Sequence, residues 1–246
     1  MSEPSAAARA GAVLLDIEGT TTPVTFVTDV LFPYARTHLR SHLEEHAGSH
    51  EYDSLFTRLH EEHRAVSAGG ETPPSWAADS PPARRAAVAA FVDWLMDRDR
   101  KSTALKELQG KIWQDGYERG ELVGQVFPDV RPALERWRDQ RVPVSIFSSG
   151  SVLAQQLLFR HSAAGDLTPL LHAYFDTRVG PKIDPESYAR IARTVGIAPD
   201  SFVFVSDVTR ELDAARAAGM DVRLAIRPGN AVPPAGHGFA VLHSLD

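Results

Sequence analysis

The 246-residue sequence contains no cysteine, which excludes disulfide scaffolds, thiolate metal sites and cysteine nucleophiles. It also lacks a basic excess. Lys and Arg number 26 against 32 Asp and Glu, a net charge of −6, whereas a nucleic-acid surface favours positive charge. No apolar run approaches the ~18 residues of a membrane span. The start, MSEPSAAARAGAVLLDIEG, has only a short apolar run that ends at Asp16, unlike a secretory leader. No G-x-G-x-x-G or G-x-x-x-x-G-K-[ST] occurs, so nicotinamide dehydrogenases and P-loop enzymes lose their main support. There is no internal repeat. What remains is of ordinary globular composition, 43% hydrophobic and 24% charged, long enough to bury a sizeable core in one or two domains. A soluble cytoplasmic protein is expected.

The second half alternates strand and helix. VPVSIFSS (residues 142–149), AYFDTRVG (173–180), SFVFVSD (201–207) and DVRLAI (221–226) read as strands, and the opening AVLLD (12–16) belongs with them. Helical patterns lie between. One opens with Asp184 and Pro185 and stops at Gly196; another stops at Gly219. Near-continuous apolar strands alternating with helices predict a parallel sheet covered on both faces. Residues 25–124 differ: they carry helical periodicity and almost no strand signal, with a Gly/Pro/Ser-rich loop at 67–82. The expected architecture is a Rossmann-like α/β core, residues 1–24 and 125–246, interrupted by an all-helical cap, residues 25–124. Ligands of open α/β sheets sit at the carboxyl ends of the strands. A cap inserted after the first strand is expected over that edge.

Four polar signals fall at or just after strand ends. Asp16 is followed two residues later by Glu18, then Gly19 and three threonines. One carboxylate can attack phosphorus while the second moves protons, and glycine admits close backbone approach. A capped strand-to-helix turn would use the same residue types. Ser148, Ser149, Gly150 and Ser151 combine hydroxyls with backbone N–H groups at a helix start, either an anion site or a helix cap. Lys182 is a compact point charge suited to phosphate, or a solvated surface lysine. Asp207 can complete a hard, oxygen-ligand Mg²⁺ site, or cap the next helix.

The order nucleophile, hydroxyl, lysine, aspartate along successive strand tips resembles the haloacid dehalogenase-like phosphatase superfamily. Four segments narrow the resemblance: DIEGTTTPVTFVTDVLFPYA, DRKSTALKELQGKIW, SSGSVLAQQLLFRHS and SDVTRELDAARAAGM. They are similar to the enolase-phosphatases, or acireductone synthases, of methionine salvage. DIEGTTTP sets Glu18 where most of the superfamily has aspartate.

The resemblance implies conversion of 2,3-diketo-5-methylthiopentyl-1-phosphate to 1,2-dihydroxy-3-keto-5-methylthiopentene plus phosphate. It implies Asp16 as nucleophile and metal ligand, and Glu18 in proton transfer and at the metal. Ser148, Ser149 and Lys182 would bind substrate phosphate, and Asp207 would bind magnesium, one Mg²⁺ per subunit. It also makes Lys101, Lys106 and Gln109 candidates for substrate contact, against the reading of a solvated helix face. The expected partner is a small phosphorylated molecule, not nucleic acid or membrane, and the expected state is a monomer. A sugar or acid phosphatase of the same fold and a catalytically silent binding module are the alternatives.

Two histidine patterns are set aside. His38, His42 and His46 recur every four residues, but zinc wants a further ligand set, so a partly exposed helix face is expected. His60 and His63 are three apart, not the four of the zinc-protease motif. Trp76, Trp94, Trp113 and Trp137 are expected as core or rim aromatics.

Overall fold

The computed structural model describes residues 10–46, 48–100 and 102–246. The chain divides into two compact units. One runs to Asp29 and resumes at Gly120; the other spans Val30–Arg119. The first unit is built on six parallel strands: β1 (Ala12–Leu15), β2 (Val144–Phe147), β3 (Ala173–Phe175), β4 (Phe202–Ser206), β5 (Asp221–Ala225) and β6 (Val241–Leu242). Their spatial order is β3-β2-β1-β4-β5-β6. β1 therefore sits centrally, with Val13 opposite Val144 on one side and Val203 on the other. All four β1 residues are 0% exposed, so both sheet faces are covered, as the unbroken apolar run predicts. The α/β Rossmann-like class follows from this sheet and its helices.

Strand ends are shorter than the apolar runs suggest. β3 stops at Phe175, where the Asp176 carboxylate accepts from the Arg178 backbone N–H and turns the chain. β6 has no sequence signature: Val241 and Leu242 are only two residues, too short for a periodicity signal. Helices of this unit are α6 (Val130–Asp139), α7 (Val152–Arg160), α8 (Pro185–Val195) and α9 (Thr209–Ala217). Asp184 caps α8 by accepting from Glu186 N–H at 3.0 Å, and Gly196 ends it in the left-handed region at φ 79°. Leu14, Phe147, Tyr188, Phe204, Leu212 and Leu224 share one core cluster.

The second unit is helical throughout its regular structure. The single turn α1 (Val24–Phe26) still belongs to the first unit and a π-helical turn at Val27–Leu31 crosses the boundary; α2 (Phe32–His46), α3 (His50–Ala68), α4 (Pro81–Asp97) and α5 (Thr103–Glu118) follow. The Pro-rich loop is narrower than read, because α3 continues to Ala68 and Ser80 already caps α4, accepting from Ala83 N–H. Trp94, Trp113 and Trp137 are buried and Trp76 is half-buried. Among the described residues no helix is long and apolar enough to cross a membrane.

The C-terminus of the first unit is tied to its interior by an ion pair. Arg227, 6% exposed, donates to Asp129 Oδ2 at 2.7 Å, to the Thr20 carbonyl at 3.1 Å and to the His243 carbonyl at 2.9 Å. Asp129 also accepts from Leu245 N–H at 2.6 Å. Burial pushes the Asp129 carboxyl up, but the Leu245 N–H and Arg227 outweigh it and hold it below its ordinary pKa. Arg227→Met strands a buried carboxylate and is expected to cost about 3–5 kcal/mol in denaturant unfolding at pH 7. The wild-type contribution is present above the unfolded aspartate pKa and is lost as pH falls through the depressed native one. The gap between the two proteins should therefore narrow below roughly pH 4. A gap that is absent, or constant into acid, would refute this account.

Candidate active site

The chain leaves β1 toward β2 on one side of the sheet, while β4 enters on the other. The order thus reverses between β1 and β4, where open α/β sheets hold their ligands. Asp16 follows the last residue of β1 and Asp207 the last of β4. Asp16 is 5% exposed and tightly held. Its Oδ1 accepts from Ile17 N–H at 2.7 Å and from Lys182 Nζ at 2.7 Å, and its Oδ2 from Ser206 Oγ at 3.1 Å.

The turn after Asp16 is closed by backbone N–H groups of Thr20, Thr21 and Thr22 converging on the Ile17 carbonyl. Gly19 adopts φ 66°, and a Cβ there would stand 2.3 Å from Asp207 Oδ2. Glycine is needed twice over, for its dihedral and for the approach of that carboxylate. Asn230 fixes the turn by donating to the Gly19 carbonyl at 2.9 Å.

Lys182 lies on the loop before α8 and is 7% exposed, so the surface reading of this lysine is excluded. Tyr188 Oη fixes the loop by donating to the Lys182 carbonyl at 2.7 Å. The ammonium reaches Asp16 Oδ1 at 2.7 Å and Glu211 Oε2 at 2.6 Å. Burial opposes its charge, but Asp16 and Glu211 outweigh burial and raise its pKa. Glu211, one turn into α9, also lies 3.0 Å from Ser206 Oγ. Burial and the Asp16 charge push its carboxyl upward.

Ser148 is buried at the end of β2, and its Oγ accepts from Gly150 N–H at 3.1 Å. Ser149 is exposed. The capping of α7 falls to Ser151, which accepts from Ala154 N–H. Gln155, which no sequence motif marks, donates to the Gly150 and Phe175 carbonyls at 2.9 Å each and steadies the serine loop against β3. Asp207 does not cap α9 either; Val208 occupies that position.

Charge dominates the site. Glu18 keeps solvent contact, yet the protein around it and the charges of Asp16 and Asp207 raise its pKa to about 7. Asp207 is raised to about 6 by burial and by Asp16. Lys182 is already shared between Asp16 and Glu211. A group of oxygen donors carrying more negative charge than its neighbours neutralise fits a hard divalent cation. Asp16, the backbone around Glu18, and Asp207 are the groups that could hold one. Of the further candidates, Gln109 is buried and Lys106 half-buried on α5, so the solvated-face reading fails for Gln109. Lys101 lies outside the described residues.

A switch-point aspartate, a serine loop, a buried lysine and a second strand-tip aspartate define a class, the haloacid dehalogenase-like enzymes. A family model for haloacid dehalogenase-like hydrolases matches residues 10–219. Enolase-phosphatase E1 of Synechococcus elongatus is 50% identical over 236 residues, 95% of each chain. A Vitis vinifera protein named a probable bifunctional methylthioribulose-1-phosphate dehydratase/enolase-phosphatase E1 is 44% identical over 95% of this chain, which spans 45% of that longer protein. The crystal structure of the Saccharomyces cerevisiae Unknown transcript 4 protein superposes with TM-score 0.78 at 32% identity, over 96% of this chain and 98% of that one. The chain belongs to the haloacid dehalogenase-like hydrolases and, within them, to the enolase-phosphatases.

Proposed function

We propose that this enzyme enolises 2,3-diketo-5-methylthiopentyl-1-phosphate and then hydrolyses its phosphate ester, giving 1,2-dihydroxy-3-keto-5-methylthiopentene. The observation that carries the phosphatase half is Asp16 at the switch point, oriented by Ile17 N–H, Lys182 and Ser206. The diketone half draws on the relatives. The longer Vitis vinifera relative is named a probable bifunctional methylthioribulose-1-phosphate dehydratase/enolase-phosphatase. Loss of water from a ketose 1-phosphate yields a diketone phosphate, the substrate required here.

In this reading residues 1–24 and 125–246 are the catalytic core, and residues 25–124 are the cap. The cap carries the candidates Lys106 and Gln109. A carboxylate oxygen of Asp16 attacks phosphorus as the ester P–O bond breaks, forming an aspartyl phosphate. Ser148, Ser149 and the amides of their loop hold the equatorial oxygens, with Lys182 supplying positive charge. Glu18 gives a proton to the departing oxygen and later takes one from the water that releases phosphate. Burial and the charges of Asp16 and Asp207 favour the protonated form that this donation requires. One bound Mg²⁺ per subunit, held by Asp16, Asp207 and the Glu18 position, would offset the charge of the phosphate and carboxylates. The same reading takes the enzyme as a cytoplasmic monomer acting on a small phosphorylated molecule, with neither nucleic acid nor membrane as partner.

The test is incubation with the diketone phosphate while enol absorbance and free phosphate are followed together. Both should rise, and a sugar-phosphate panel should be turned over poorly. Equal turnover of the panel, or phosphate without enol, would move the protein to a general phosphatase. Exhaustive chelation should abolish phosphate release and magnesium alone restore it; undiminished turnover in chelator would remove the cation from the mechanism.

A further inference from the structure

The sequence sets aside His42 and His46 for want of a further ligand. The structure supplies one. Asp115 on α5 faces the last turns of α2, and its Oδ2 lies 2.7 Å from His42 Nδ1 and 3.1 Å from His46 Nε2. The three ligand atoms lie within 4.8 Å of one another. His42 is 4% exposed, not on a solvated face, whereas the His46 and Asp115 side chains keep 39% and 24% of their exposure. His42 Nε2 meets Tyr52 Oη at 2.5 Å, and the His46 ring stacks on Tyr52 with centroids 5.5 Å apart.

We propose that His42, His46 and Asp115 form a zinc-class metal site within the helical unit, distinct from the carboxylate site on the sheet. Two histidines at i and i+4 present their rings to one side of a helix, as in helical zinc sites. The carboxylate comes from the helix packed against them. Tetrahedral Zn²⁺ with bonds of ~2.0–2.1 Å separates neighbouring ligand atoms by roughly 3.3 Å. The observed 2.7 and 3.1 Å edges need only a small opening. Tyr52 holds the other nitrogen of His42, the outer contact that fixes ring orientation and tautomer at metal sites. The exposed side of His46 and Asp115 leaves a fourth position for water. Two imidazoles and one carboxylate favour zinc over magnesium, whereas the all-oxygen donors of the sheet site favour the reverse. Bound there, the ion joins α2 to α5, with α3 attached through Tyr52.

Cobalt(II) is the spectroscopic stand-in for zinc. The full-length protein is stripped with chelator, saturated with Mg²⁺ to fill the sheet site, and titrated with Co²⁺. One equivalent should give the intense visible absorption of four-coordinate cobalt, and Zn²⁺ should displace it. The band should survive Asp207→Asn and disappear in His46→Gln. That variant leaves the His42–Asp115 and His42–Tyr52 contacts in place and is checked for folding by circular dichroism. Zn²⁺ should raise the melting temperature of the wild type and Asp207→Asn but not of His46→Gln. Asp115→Asn is the second variant and should behave like His46→Gln. Faint six-coordinate absorption in the wild type would overturn the site. So would a band lost in Asp207→Asn yet kept in His46→Gln, or one unchanged in every variant.

Discussion

Asp16→Asn should convert the diketone phosphate into a phosphorylated enol and stop there. Asparagine keeps the size of the side chain and can still accept from Ile17 N–H and Lys182, but it is a far poorer nucleophile. Phosphate release should fall by roughly 10⁴–10⁶-fold, the scale seen when members of a nucleophilic triad are removed. Enolisation breaks a C–H bond next to the diketone and needs a base, not an attack on phosphorus. Enol absorbance should therefore rise while free phosphate stays flat. The substitution also removes negative charge where the cation would sit, so the assay needs excess magnesium. If neither product forms while substrate still binds, Asp16 serves both steps. Normal phosphate release would disprove its role as nucleophile.

Lys182→Ala carries the second largest effect. The ammonium is buried and shared between Asp16 and Glu211. Its loss removes the positive charge opposite the phosphate and leaves two buried carboxylates facing each other. Truncating one member of such a pair costs about 2–5 kcal/mol, or roughly 30- to several-thousand-fold in kcat/KM. KM and kcat should worsen together, because the charge acts on bound substrate and on the attacking group. Stability should also gain a new pH dependence. With the lysine gone, the Glu211 pKa rises further above its unfolded value, so the stability deficit should grow as pH rises through it. Lys182→Arg should rescue only partly, since a planar fork cannot replace a point charge between two oxygens 2.6–2.7 Å away. Near wild-type kinetics in the alanine variant would place Lys182 outside the mechanism.

The parts of the site that the sequence reveals are those attached to strand ends. AVLL, VSIF and FVFVS are apolar enough to be read as buried parallel strands, and the first polar residue beyond each marks the reacting edge. Asp16, Ser148 and Asp207 are found this way. Lys182 apart, the residues that hold them are not. Glu211 lies four positions after Asp207 in a helix with one exposed acidic neighbour, Asp213, and nothing local separates a glutamate that grips Lys182 from one in water. Ser206 reads as the last residue of a strand. Asn230 and Arg227 sit in a Gly/Pro segment and act on Gly19 and Thr20, some 200 positions earlier. Asp115 escapes for the same reason: its partners His42 and His46 belong to another helix. Such couplings depend on how elements pack, and hydrophobic periodicity carries no record of that.

The central place of β1 also bears on how the molecule assembles. The strand before Asp16 is made earlier than the rest of its sheet: the partners of Val13 are Val144 and Val203, which follow it by well over a hundred residues. Until both arrive, four fully apolar residues and an aspartate have no sheet to join. Residues 30–119 form a contiguous helical body with local contacts, the kind of segment that folds fast during synthesis. The nascent chain would then present a folded helical body tethered to an orphan hydrophobic strand until β2 and β4 have been made. A waiting strand of this kind invites chaperone capture or edge-to-edge association. Its brevity, four residues ended at once by a charge, keeps that exposure small.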